Sequence, residues 1–160
     1  MNDSNDLDYT PDVREVESVR GEARQLSSGL LDAIALKGDV TQPGPRIASC
    51  GDKDTDSFYK INHPWSIGGV PVGDMKRAME RLRDDLPKSG WKVVKYGPDS
   101  SPSKSLELLA NSTERKFSVN ISLHDGSKAE SSGAAKESRI LVFLVSACFR
   151  VPEGKTVVGY

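Results

Sequence analysis

Few residues in this chain could carry out chemistry. The sequence holds two histidines, His63 and His124, and two cysteines, Cys50 and Cys148. A nucleophilic triad needs a histidine beside a serine or cysteine and a carboxylate, and neither histidine has a sequence context that indicates one. Zinc sites usually draw on more His and Cys ligands than these, at characteristic spacings. We therefore predict no catalytic residues, no metal site and no cofactor, so that an enzyme is the least favoured class.

A cluster of acids could suggest calcium. Asp52, Asp54 and Asp56 alternate as in the first half of an EF-hand loop. That loop requires glycine at its sixth position and glutamate at its twelfth, and this chain has Ser57 and His63 there. A solvated polar turn is the better interpretation.

The two cysteines allow two hypotheses. Cys50 ends a short apolar run, and Cys148 lies near the end of the most apolar strand in the chain. They could be buried thiols of a cytosolic protein, or they could form a disulfide that crosslinks two neighbouring strands in an oxidising compartment. We predict the Cys50–Cys148 disulfide, which would close a loop of about 100 residues and contribute up to about 4–5 kcal/mol.

Composition narrows the class of protein. The chain has 160 residues, a charged fraction of 28% and a net charge of −1, which argues against a nucleic-acid binder. No apolar run approaches the roughly 18–20 residues that span a bilayer. The acidic start is not a signal peptide, so we expect any signal or lipid anchor to precede Met1.

The elements that must position these residues follow from periodicity. Residues 74–86 form an amphipathic helix, with Asp74 as its N-cap and an apolar stripe that includes Met75 and Leu82. A second helical period covers residues 13–37. Alternation and apolar runs predict strands at residues 46–50, 58–67, 91–96, 104–110, 116–123 and 139–150. The strand at 58–67 is predicted to have a break, because Pro64 either ends ladder pairing or marks an edge.

The predicted fold class is α+β, with two helices packed on one face of a mostly antiparallel sheet in the order α-β-β-α-β-β-β-β. Residues 139–150 suit a central strand that is covered on both faces, or one with a face at an interface. We expect a single domain at residues 13–151, a disordered tail at 1–12, a long mobile loop at 125–138 and a loose tail at 152–160.

The most unusual local composition is His63-Pro64-Trp65-Ser66, which precedes a Gly/Pro-rich segment. A tryptophan on a loop can anchor a binding partner, although it can also pack over the edge of the hydrophobic core. We predict Trp65, His63 and Pro64 as binding residues on a loop at positions 63–72.

Several segments together resemble small exported proteins and lipoproteins of actinobacteria, of the Streptomyces type, over residues 23–160. The similar segments are residues 49–50, 63–66, 75–83, 86–99 and 148–154. That group supplies no assigned activity and no catalytic residues. The resemblance implies a secreted or membrane-anchored mature domain, with any lipidated cysteine upstream of Met1.

The functional hypothesis is a non-enzymatic extracytoplasmic domain of the cell envelope that binds a protein or another envelope component. The alternative is a carrier of a small ligand or lipid, with its pocket between the helices and the sheet. We expect no nucleic-acid partner.

Overall fold

The computed structural model describes residues 9–41, 43–126 and 137–159. Within these residues two α-helices and eight strands form. In chain order they are α1 (Val16–Ile34), β1 (Asp39–Thr41), β2 (Arg46–Ala48), β3 (Phe58–Gly68), α2 (Val72–Asp85), β4 (Lys92–Pro98), β5 (Leu106–Ser112), β6 (Phe117–His124), β7 (Arg139–Ser146) and β8 (Phe149–Arg150). A 3-10 turn, Leu86–Ser89, follows α2 directly.

The strands form one antiparallel sheet in the order β1-β3-β7-β6-β5-β4, and β2 and β8 also pair with β3. Helix α1 packs on β3 and β7, and α2 packs on β6 and β7. Buried and more exposed residues alternate along β3, β6 and β7, because successive side chains of a strand point to opposite faces. The α+β class is therefore confirmed: two helices cover one face of an antiparallel sheet.

Each helix exists because its apolar stripe is buried on that face. In α1 the buried residues Val19, Ala23, Ser27, Leu30 and Ile34 recur every three or four positions. In α2 the buried residues are Met75, Ala78, Met79 and Leu82. The predicted N-cap is wrong, because Val72 and Gly73 are already helical and Pro71 occupies the cap. Asp74 instead lies in the first turn, where a carboxylate is favourable beside the helix dipole.

Strand β3 runs straight through Pro64. Strand β7 pairs with residues 62–68 on one side, while β1 pairs only with 66–68 and β2 only with 60–62 on the other. Pro64 therefore lies opposite the interval between β1 and β2. No strand pairs with it on that side, so the N–H that proline lacks is not needed for a ladder hydrogen bond. The prediction of a loop that begins at His63 is wrong for this reason: residues 63–68 belong to an 11-residue strand.

Cys50 and Cys148 form a disulfide with a Cα–Cα distance of 6.0 Å, as predicted. The bond joins the residues that follow β2 to the short link between β7 and β8. A disulfide of this kind indicates an oxidising environment outside the cytoplasm. No described helix combines the length and the apolar character of a membrane span.

Both chain ends differ in part from the predicted tails. The backbone N–H of Arg150 donates to the carbonyl of Asp12 (2.9 Å), and that of Cys148 donates to the Tyr9 hydroxyl (2.9 Å). At the other end, Val157 is buried in the core. The rest of the first tail, residues 1–8, and most of the predicted mobile loop, residues 127–136, lie outside the described residues.

Candidate functional site

Two of the three predicted binding residues are buried beneath the helices. His63 is 2% exposed and Trp65 is 4% exposed, and both lie on the face of β3 that α1 covers. The His63 Nδ1 atom lies 2.7 Å from the Ser27 Oγ atom, and Trp65 Nε1 donates to the same oxygen at 3.1 Å. As placed, neither side chain is available to a partner.

The hydrogen bonds define which nitrogen of His63 carries its hydrogen. His63 Nε2 lies 2.8 Å from the carbonyl oxygen of Pro43, which can only accept, so Nε2 is the donor. In the neutral ring Nδ1 must then accept from the Ser27 hydroxyl, whose oxygen remains free to accept from Trp65. Each polar atom of this His63–Ser27–Trp65 network has a partner.

Burial lowers the pKa of His63 below its usual 6.5, and the nearby positive charge of Arg24 acts in the same direction. The hydrogen bond to Pro43 opposes this effect but is the smaller contribution. The arrangement differs from a nucleophilic triad in two respects. Ser27 is fully buried, and the second nitrogen of the imidazole bonds a main-chain carbonyl where a triad has a carboxylate.

Pro64 points to the opposite face of β3, which the helices do not cover. Across the ladder it pairs with Phe143 of β7, and its neighbour Ser66 pairs with Leu141. Phe143 is 43% exposed and Leu141 is 40% exposed, and together with Pro64 they line an open groove of about 480 Å³. We call this groove, with its rim residues, the sheet-face groove.

Polar side chains and Pro43 form the rim of the sheet-face groove. Asn120 and Ser122 come from β6, and Thr41, Pro43 and Arg46 come from the β1–β2 segment. Arg46 has neither an ion pair nor a side-chain hydrogen bond within the described part of the chain. Asn120 by contrast is held by Glu107 through a 3.0 Å bond from its Nδ2. The groove thus combines an apolar floor with one available cation at its edge.

Phe143 and Leu141 were not among the candidates predicted from the sequence. The signal that could have found them is the apolar run at residues 139–150, for which a face at an interface was one of two interpretations. The structure places β7 at the centre of the sheet with one face under the helices and the other, within the described part of the chain, left uncovered.

The remaining candidates do not line the sheet-face groove, although His124 contacts its rim residue Ser122. His124 ends β6, where its Nε2 lies 3.2 Å from Ser122 Oγ. Asp54 accepts hydrogen bonds from the Asp56 backbone N–H and the Ser57 hydroxyl, which closes a local turn. Among the described residues no group of three or more His, Cys, Asp or Glu side chains could hold a metal ion.

No family model, curated protein or solved structure matches the chain.

Proposed function

We propose that this protein is a non-enzymatic binding domain that acts outside the cytoplasm and recognises a protein partner of the cell envelope through the sheet-face groove. The observation that carries the proposal is the pair of half-exposed apolar side chains, Leu141 and Phe143, on the uncovered face of the central strand. Large apolar side chains clustered in an open groove are typical of interaction sites.

The groove favours a polypeptide over other partners. Its floor of Pro64, Leu141 and Phe143 suits an inserted aromatic or aliphatic side chain, the usual anchor of a protein interface. Arg46 at the rim suits a carboxylate on the same partner, since guanidinium pairs with carboxylate through two parallel hydrogen bonds. The expected ligand is therefore a segment with an apolar anchor next to an Asp or Glu.

The disulfide supports the proposed location. Structural disulfides persist in secreted and envelope proteins and are rare in the cytosol. The uncovered face therefore meets the partners available in an oxidising compartment.

The alternative of a carrier with a pocket between helices and sheet has less support. The large side chains Trp65, Met75 and Met79 are buried in that layer and pack in one core cluster with the sheet residues. Protein interiors packed in this way leave few voids larger than a water molecule.

Selection from a random-peptide library on the immobilised, oxidised protein tests the proposal. We expect enriched peptides that place an aromatic or aliphatic residue beside an acidic one, and we expect Phe143→Ser to abolish their binding. Val94→Ser is the matched control, because Val94 is 50% exposed on β4 at the far edge of the sheet. Peptides that bind Phe143→Ser as well as the native protein would refute the groove as the site.

A further inference from the structure

A second cavity lies where the end of α1 approaches the start of α2. It has a volume of about 660 Å³ and is lined by Ala35, Leu36, Lys37, Val70, Asp74, Arg77 and Arg81. It shares no lining residue with the sheet-face groove. We call it the helix-end cavity.

The lining of the helix-end cavity carries three cations and one carboxylate. Asp74 pairs with Arg77 one turn further along α2, which neutralises one of the three. Lys37 has no ion pair within the described part of the chain. Arg81 donates from Nη2 to the carbonyl of Ile34 at 2.5 Å, and this is a bond to a neutral group. Two positive charges are therefore left without a carboxylate partner in one concave site.

The Nε atom of Arg81 adds to this. It is buried and has no hydrogen-bond partner, whereas buried polar groups in proteins are nearly always paired. It is one of two such arginine atoms, with that of Arg20, among the described residues. The first turn of α2 adds backbone donors beside Asp74, and its Pro71 cap provides no side-chain hydrogen bond to them. The first N–H groups of α2 carry partial positive charge while the last carbonyls of α1 carry partial negative charge, so the net positive charge of the cavity comes from its side chains.

We propose that the helix-end cavity binds a phosphate group carried by a small molecule or a lipid headgroup. Phosphate matches the two unpaired cations, since a monoester has a charge of about −1.5 to −2 near pH 7 and three acceptor oxygens. A guanidinium and a lysine ammonium are both common phosphate ligands in proteins. The cavity is larger than phosphate alone requires and lies within the range of about 300–1,000 Å³ that is typical of small-ligand pockets, so it has room for the group to which the phosphate is attached.

The site is separate from the proposed protein-binding groove, and the two proposals can fail independently. Titration of the oxidised protein with glycerol 3-phosphate, followed by two-dimensional NMR of the backbone amides, tests the helix-end cavity. We expect saturable shifts of the Val72 and Gly73 amides and of residues 35–37. Shifts that never saturate, or that spread evenly over all basic residues, would overturn the proposal.

Charge variants sharpen the test. Lys37→Gln should weaken binding about fivefold, the factor that corresponds to roughly 1 kcal/mol for one pair of surface charges. Lys76→Gln removes an equal charge from an exposed residue of α2 that does not line the cavity, and it should leave the affinity for glycerol 3-phosphate unchanged. Asp74→Asn removes the one carboxylate and should tighten binding. Equal weakening by Lys37→Gln and Lys76→Gln, or weaker binding by Asp74→Asn, would contradict a defined site.

Vesicles distinguish the two sources of phosphate. Co-sedimentation with phosphatidylcholine vesicles that contain phosphatidic acid, lost on Lys37→Gln and kept on Lys76→Gln, would assign the site to a lipid headgroup. Saturable binding of glycerol 3-phosphate without vesicle binding would assign it to a soluble phosphorylated molecule. Absence of both would overturn the proposal.

Discussion

The imidazole of His63 on β3 and the hydroxyl of Ser27 on α1 lie 2.7 Å apart in a fully buried position. This contact joins the helix layer to the sheet layer by a polar bond within a largely apolar core. Trp65 Nε1 donates to the same hydroxyl oxygen, so one serine satisfies two ring nitrogens. Several measurable properties depend on this arrangement.

Ser27→Ala should destabilise the fold by about 2 kcal/mol or more. The substitution leaves the ring nitrogens of His63 and Trp65 buried without their shared partner, and each unsatisfied group costs about 1–3 kcal/mol. Urea denaturation gives the free energy of unfolding. Ser28→Ala is the matched control, because Ser28 is the next residue of α1 and is exposed. Equal stability of the two variants would contradict the network.

Stability should fall as the pH is lowered below about 6.5. The unfolded chain binds a proton at His63 near that pH, whereas burial lowers the pKa of His63 in the native state. Between the two values the unfolded state holds more protons, so stability is lost as pH falls towards the native pKa and is fully present above 6.5. Denaturation midpoints across this range, compared with those of His63→Gln, give the measurement. A pH profile that is identical in His63→Gln would show that another group is responsible.

Trp65→Ala and Phe143→Ser should differ strongly in their effect on stability. Trp65 fills the layer between α1 and the sheet, and loss of a buried tryptophan costs about 3–5 kcal/mol. Phe143 lies on the uncovered face, so Phe143→Ser should change stability by less than about 1 kcal/mol while abolishing peptide binding. Thermal unfolding of the two variants checks both values. A Trp65→Ala variant as stable as the native protein would contradict the core position of Trp65 and make it a binding candidate again.

Reduction of the disulfide should lower the free energy of unfolding by up to about 4–5 kcal/mol, because the bond closes a span of 98 residues. Intact-mass measurement with and without reductant verifies the bond through a gain of two hydrogens. Urea denaturation of the oxidised and reduced protein then gives the difference in stability. An unchanged mass would place both cysteines as free thiols and remove the support for an oxidising compartment.

Local periodicity was sufficient to predict much of the fold. The stripe at Met75, Ala78, Met79 and Leu82 predicts α2, and the alternation at residues 116–123 predicts β6, because each pattern is a direct consequence of how one element exposes its side chains. The disulfide was one of two hypotheses for the two cysteines, each of which lies near the end of a predicted strand. The helix and the strand need no knowledge of which strand neighbours which, whereas the disulfide requires that those two strands meet.

The candidate site could be recognised only once the neighbours of each strand were known. Pro64 indicated a strand end or an edge, and it is accommodated inside β3 because β1 and β2 leave an interval opposite it. Trp65 and His63 looked like loop residues, and their polar atoms could be buried only because Ser27 and Pro43 supply partners from distant parts of the chain.

The sequence by itself determined the two helices and most of the strands, and it left Cys50 and Cys148 as the one possible disulfide. The tertiary structure alone decided that Leu141 and Phe143 share an uncovered face with Pro64, and that Lys37 and Arg81 meet in one cavity. The physical reason is that periodicity records which residues share a face of one element. Whether another layer covers that face depends on sheet order and on where the helices pack, and these arise from contacts between residues far apart in the chain.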